Sequence, residues 1–441
     1  MHVTAHLDID LLAHNASEEV TCLLNLKAPV PAAALNRPGQ TLVVVLDRSG
    51  SMGGAPLEGA KRAISQLVRR LAPQDAFGLV TFDDHAGIVA PVRTMADHDL
   101  PALDAAIDAI MPGGSTDLSA GYLLGLREAK ASLAASGLTA ATLLIVSDGC
   151  ANAGVQDPAQ LRDIAARAYG EARITTATLG LSEHYDETAL AAMSLGGNGD
   201  HRFAADIDQA IGMIGEAVDE LLDKSIIAAS LRIRRQPGLV SDVLLRNGMA
   251  AVLEGDDVVV SLGDLYAAEE RGVLFKFRVP GMPALGLATI ADVILEYTAL
   301  PEIKEHTVTL PIAVNVVPGD DAKGRIPNPV VEVAGLLADI AESKATASEQ
   351  LRRGDSASAQ RTVAGSAQGL AAKRRELSER GVQEPSLNRQ LDEAARELLD
   401  LAGSLQHESI AFNAKMTQEA YTRTSRNRVR RSQMMDQDDQ A

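Results

Sequence analysis

Residues 41–52 read TLVVVLDRSGSM. A short, unbroken run of β-branched residues and leucine suits a strand covered on both faces, as in a parallel sheet. The run ends in Asp47, and serines follow at alternate positions, Ser49 and Ser51. Alone, Asp47 and Ser49 would equally suit the capping of a turn. In an open parallel sheet, however, ligands bind beyond the carboxyl ends of the strands, where the strand order reverses. A loop there can turn residues i, i+2 and i+4 toward one centre. One carboxylate and two hydroxyls are hard oxygen donors, suited to Mg²⁺, Mn²⁺ or Ca²⁺ and not to Zn²⁺ or Cu²⁺.

The surroundings place that strand in an α/β domain. Strand-like runs recur at AFGLVTF (76–82), ATLLIVSD (141–148) and ITTATLGL (174–181). Helical periodicity is expected over 56–72, 117–135, 158–170, 186–195 and 207–222. In the first of these, Leu57, Ala60, Ile64, Leu67, Val68 and Leu71 share one face. Apolar strands alternating with helices imply a doubly wound, mainly parallel sheet. Two more oxygen donors fall at strand ends or loops: Thr116 in PGGSTDLSAG and Asp148 in LLIVSDGCANAG. Asp117 reads as a helix cap.

The flanks have other periods. Residues 1–34 alternate apolar and polar over two strands joined at NASEE, and strands without helices return over 226–317. The two N-terminal strands are expected to complete a β-sandwich with the later block, so that the α/β domain (40–225) is inserted in it. PGDDAKGRIPNP (318–329) reads as a linker. Residues 330–416 read as a helical hairpin or bundle, broken at Gly354-Asp355 and at Gly381 before Pro385, with no sustained repeat period. Residues 417–441 read as a disordered tail.

Together, DxSxS at Asp47-Ser49-Ser51, the Gly-Ser-Thr loop at Thr116 and SDG at Asp148 resemble the von Willebrand factor type A (vWA) domain, over roughly 40–225. The phrases AFGLVTFDDHAGIVAPV and LGLSEHYDETALAAMSLGGNGDHRFAADIDQAIGMI agree with it. The resemblance implies a Rossmann-like fold and an intact metal-ion-dependent adhesion site (MIDAS). Its residues would be Ser49, Ser51 and Thr116, meeting the ion directly or through water, with Asp47 and Asp148, which often act through water. Ser115 stands beside Thr116; Thr116 is the favoured ligand. More loosely, the flanks resemble bacterial relatives laid out like inter-α-trypsin-inhibitor heavy chains. The function implied is a divalent-metal-dependent protein-binding adaptor of the bacterial intracellular type. Its Mg²⁺ (or Mn²⁺/Ca²⁺) would be completed by an Asp or Glu of a protein partner. An AAA+ ATPase of the MoxR or magnesium-chelatase type is a further implied partner. The alternative is a metal-assisted hydrolase, but no general base is nominated near the motif, so an enzyme is not expected.

Composition narrows the field. The net charge is −18 and aromatic residues make up 3% of the chain. That argues against nucleic acid, which favours a basic face and stacking platforms. No apolar run reaches the ~18 residues of a membrane helix, and the first residues lack a signal-peptide pattern. Two cysteines, Cys22 and Cys150, make no disulfide framework, and a cytoplasmic protein is expected. Cys150 reads as a small loop filler, and His85 and His184 as surface residues. The glycines after Asp47 match no phosphate-binding motif.

Overall fold

The computed structural model describes residues 1–30, 38–136, 138, 140–148, 151–181, 187–204, 209–215, 224–246, 251–425 and 428–429. The chain divides into two compact units, Pro31–Ile227 with Leu300–Glu302, and Met1–Val30 with Ala228–Ala299 and Ile303–Ala441. It opens with β1 (His2–Leu7), β2 (Leu11–Ala13) and β3 (Glu18–Lys27), which belong to the second unit.

The first unit follows in the order β4 (Thr41–Asp47), α1 (Ala55–Val68), β5 (Ala76–Phe82), β6 (Ala86–Thr94), α2 (Leu100–Asp108) and α3 (Leu118–Ser136). After these come β7 (Ala141–Ser147), α4 (Pro158–Ala172), β8 (Ile174–Leu181), α5 (Glu187–Gly196), β9 (Asn198–Ala204) and α6 over 209–215. The sheet order is β6-β5-β4-β7-β8-β9, parallel except for β6. This is a doubly wound α/β fold. Every residue of β4 and of β5 is buried, which is why both runs lack alternation. From α1, Leu57, Ala60, Ile64, Leu67 and Val68 are buried in the same core as Val44, Leu46 and Phe77. Each fully buried Leu or Ile contributes about 1.5–3 kcal/mol. Helix α3 lies close to the sheet because it carries glycines at the contact. A Cβ at Gly121 would stand 2.5 Å from Phe82 Cδ1, and one at Gly125 2.6 Å from Val45 Cγ2.

Three elements here escape the apolar patterns. β6 is largely exposed and runs antiparallel at the sheet edge, β9 (NGDHRFA) is polar at alternate positions, and α2 is short. The helix expected over 207–222 is described only at 209–215.

The second unit is a sandwich of two sheets. Its later strands are β10 (Lys224–Arg235), β11 (Asp242–Leu245), β12 (Ala251–Glu254), β13 (Asp257–Tyr266), β14 (Glu270–Val279), β15 (Gly286–Ala299) and β16 (Lys304–Val317). One sheet runs β1-β3-β14-β11 and the other β12-β13-β10-β15-β16-β2. The N-terminal segment thus holds three strands rather than two. β3 lies between β1 and β14, whereas β2 joins the opposite sheet, parallel to β16. Arg271, 2% exposed, pairs with Glu269 at 2.6 Å and donates to the carbonyls of Leu262 and Asp264 on β13, tying one sheet to the other.

A single turn, α7 (Gly319–Ala322), precedes four long helices: α8 (Pro329–Arg352), α9 (Ser356–Glu379), α10 (Pro385–His407) and α11 (Ile410–Ser425). Val331, Ala334 and Ala338 of α8 pack on Leu23 and Leu274 of the sandwich, and the opposite side of α8 joins the bundle core. The expected disordered tail from 417 needs correction as far as 429, because α11 continues to Ser425 and Arg428–Val429 pairs with β14; residues 430–441 lie outside the described residues. No described helix is long and apolar enough to cross a membrane.

Gly121→Ala should destabilise the α/β unit by about 1–3 kcal/mol, because the new methyl meets the Phe82 ring. Chemical denaturation of the full chain would measure it. An unchanged midpoint would show that α3 shifts freely.

Candidate metal centre

β4 and β7 are parallel neighbours, with Leu46 opposite Val146. Asp47 and the Ser147-Asp148 pair therefore leave the sheet at the same end. β5 lies on one side of β4 and β7 on the other, so this is also where the strand order reverses.

Asp47 is 0% exposed. Its Oδ1 accepts the Ser49 N–H at 2.8 Å, and its Oδ2 accepts the Ser147 hydroxyl at 2.5 Å. Burial pushes this carboxyl above its ordinary range; the bonds from Ser147 and Ser49 oppose the shift, and the nearby Asp83 adds to it. Both hydrogen-bonding partners are neutral, an arrangement that a nearby cation stabilises. Above it, Ser49 Oγ and Ser51 Oγ stand 3.1 Å apart, and the Ser51 hydroxyl donates to Asp148 Oδ1 at 2.9 Å. Neighbouring ligands on a Mg²⁺ octahedron are also ~2.9 Å apart, given Mg–O distances of about 2.0–2.1 Å.

The loop that carries Thr116 is tied to the loop after Asp47. The Gly113 N–H donates to the Arg48 carbonyl at 2.6 Å, and the Gly50 N–H to the Gly114 carbonyl at 2.9 Å. Thr116 is 4% exposed, and among the described residues its hydroxyl makes no hydrogen bond, whereas Ser115 is exposed. The structure therefore joins Ser49, Ser51 and Asp148 in one row of oxygens, sets Asp47 beneath it as the anchor of the loop, and ties the Thr116 loop alongside. The all-oxygen donor set and its spacing fit a hard divalent cation. Ser49, Ser51 and Asp148 would hold it, and such an ion supplies a Lewis-acidic centre for an outside carboxylate.

Three residues that the motif reading did not name as ligands shape this site: Ser147, Asn152 and Asp83. Ser147 follows from the SDG motif, one position before its acid. Asn152 contacts the Thr116 backbone on both sides. Asp83 follows Phe82, the residue paired with Asp47. It bridges to Arg48 at 2.7 Å and accepts the His85 N–H at 2.9 Å. Burial works against ionisation of Asp83, but the His85 bond and the Arg48 charge outweigh it and hold its carboxyl below the usual range. A Cβ at Gly113 would lie 1.8 Å from Asp83 Oδ2, which explains the glycine there. Asp83, Asp84 and His85 also form an acidic cluster with donor atoms within 4.8 Å of one another. Asp117 caps α3, accepting from the Ala120 N–H at 2.9 Å. Among the two loop histidines, His85 is exposed beside Asp84; His184 and Cys150 lie outside the described residues. Cys22 is a buried free thiol, pushed up to about 12 by burial.

Residues 41–215 match the von Willebrand factor type A domain, and the chain carries a vWA domain there. Over nearly its full length it is similar in structure to a von Willebrand factor type A protein from Catenulispora acidiphila, with a TM-score of 0.74, 16% identity and 97% of each chain covered. The ArnB paralog VWA2 from Sulfolobus acidocaldarius gives a TM-score of 0.65 at 16% identity, over 96% of this chain and 98% of that one. These likenesses show the fold. In sequence, the chain is 26% identical over 263 residues to the uncharacterized protein sll0103 of Synechocystis, covering 56% of this chain and 60% of that protein. It is 25% identical over 350 residues to the E3 ubiquitin-protein ligase WAV3 of Arabidopsis thaliana, covering 74% and 43%. With the inter-alpha-trypsin inhibitor heavy chain H1 of Bos taurus it shares 29% identity over 172 residues, 37% and 18% of the two chains. The chain thus spans less than two thirds of the length of these relatives.

Ser147→Ala removes the donor to Asp47 Oδ2. It should weaken Mg²⁺ binding about tenfold, the usual effect of losing an orienting partner. Titration calorimetry would measure this, and unchanged affinity would show that Asp47 needs no such support.

Proposed function

We propose that this chain is a protein-binding adaptor of the cytoplasm, which captures its partner through a divalent cation at the Ser49-Ser51-Asp148 row. The observation that carries the reading is the run of oxygen donors 2.9 and 3.1 Å apart above a buried Asp47 held by neutral groups alone. Asp47 and Asp148 supply the charge, and Ser49, Ser51 and Thr116 supply hydroxyls. Because most of these donors are neutral, the ion keeps enough electrophilicity to attract an anionic group. An Asp or Glu of a protein partner replaces a water and completes the shell. The hard oxygen set suits Mg²⁺, Mn²⁺ or Ca²⁺.

Support also comes from relatives whose names place them among other proteins, as a ubiquitin-protein ligase and as a heavy chain of a trypsin inhibitor. The acidic balance of the chain argues against nucleic acid as the partner. An AAA+ ATPase of the MoxR or magnesium-chelatase type is the partner class that the family resemblance suggests. Hydrolysis is disfavoured because, among the described residues, no histidine is seen bonded to the oxygen row, and His85 is exposed and set against Asp84.

Asp47→Ala should lower Mg²⁺ affinity by about 100-fold and abolish partner capture, whereas Thr116→Ala should weaken Mg²⁺ by only about tenfold while still reducing capture. Calorimetry of both variants, with pull-downs in Mg²⁺ and in EDTA, tests this. Capture that survives both EDTA and Asp47→Ala would place binding on another surface.

A further inference from the structure

We infer that Asn152 is a positioning residue for the Thr116 hydroxyl, and that the loop after β7 thereby couples the two halves of the metal site; this rests on the metal-binding reading above. The Asn152 side chain accepts the Thr116 N–H through Oδ1 at 2.9 Å. Its own N–H donates to the Thr116 carbonyl at 3.0 Å, and the Ala153 N–H reaches the same carbonyl at 3.3 Å. Both backbone polar groups of Thr116 are thus occupied by one neighbouring segment. With the backbone held, the hydroxyl of this β-branched residue is left with a few staggered positions.

The segment grips the start of α3 at a second point. Gly154 has φ +69, and a Cβ there would lie 2.2 Å from both Asp117 Oδ1 and Ser119 Oγ. The Val155 N–H donates to Ser119 Oγ at 2.9 Å. Meanwhile Asp148, just after β7, accepts the Ser51 hydroxyl. One connection therefore supplies a candidate ligand at its start and fixes the backbone of another further along.

Core packing does not explain Asn152, because the residue is exposed. Nor does helix capping, because Asp117 already caps α3. What its two bonds accomplish is to set the position of Thr116, whose hydroxyl has no protein partner among the described residues.

The test uses the full chain with Mn²⁺ and Mg²⁺ alone, followed by electron paramagnetic resonance and calorimetry. Asn152→Ala should weaken both ions about tenfold with little change in melting temperature. Asn152→Asp, which keeps the Oδ acceptor, should bind close to wild type. The Asn152→Ala/Thr116→Ala double variant should bind no more weakly than Thr116→Ala. Wild-type affinity in Asn152→Ala, or losses that multiply in the double variant, would overturn the inference and leave the metal site standing. A wild-type protein that binds neither ion would overturn both.

Discussion

Much of the α/β unit's functional end depends on one buried carboxylate. Asp47 ends a strand covered on both faces and is sealed from bulk solvent. Its two oxygens are held by the Ser49 N–H and the Ser147 hydroxyl, one from its own loop and one from the neighbouring strand. A buried acceptor left without such donors costs about 1–3 kcal/mol, and more when charged. That cost explains why the turn after Asp47 folds back on it and why β7 must sit in register beside β4. The serines at alternate positions emerge from that fold-back. Their row with Asp148 follows from the anchoring of the acid beneath.

The same logic separates what could be read along the chain from what could not. β4, β5, β7 and β8 are legible because central parallel strands need apolar residues on both faces. β6 and β9 sit at the sheet edges and carry exposed or polar residues, so no apolar run marks them. α11 is legible only as far as residue 416, because most of its described buried positions are polar. Asn413, Lys415 and Thr417 are all buried, and Asn413 Nδ2 donates to the Ser404 carbonyl at 3.1 Å. A helix that buries hydrogen-bonded polar groups shows no amphipathic stripe. In the site, Asp47 and Asp148 are legible as strand-end oxygens and Thr116 as a loop hydroxyl. Asn152 and Asp83 are not, because Asn152 holds the Thr116 backbone and Asp83 pairs with Arg48, and no local pattern encodes partners so far away in sequence.

The insertion of one unit into the other raises the question of what holds the sandwich together across the interruption. β3 and β14 pair from Lys27 with Glu270 to Glu18 with Val279. Ion pairs decorate the join, Lys27 to Glu270 at 2.7 Å and Lys276 to Glu19 at 2.8 Å, but these are substantially exposed. Each such pair is worth about 0–1 kcal/mol and is screened by salt. Leu24, Leu26, Val273, Phe275 and Phe277 are each 0–1% exposed along the same two strands. At about 1.5–3 kcal/mol per fully buried Val, Leu or Phe side chain, they outweigh the ion pairs several times over. Against this, the entropic cost of a longer connection grows slowly, by about 0.6 kcal/mol for each doubling of length. A whole domain between β3 and β14 therefore costs the sandwich little beyond what a short loop would. The apolar faces on either side of the insertion suffice to close it.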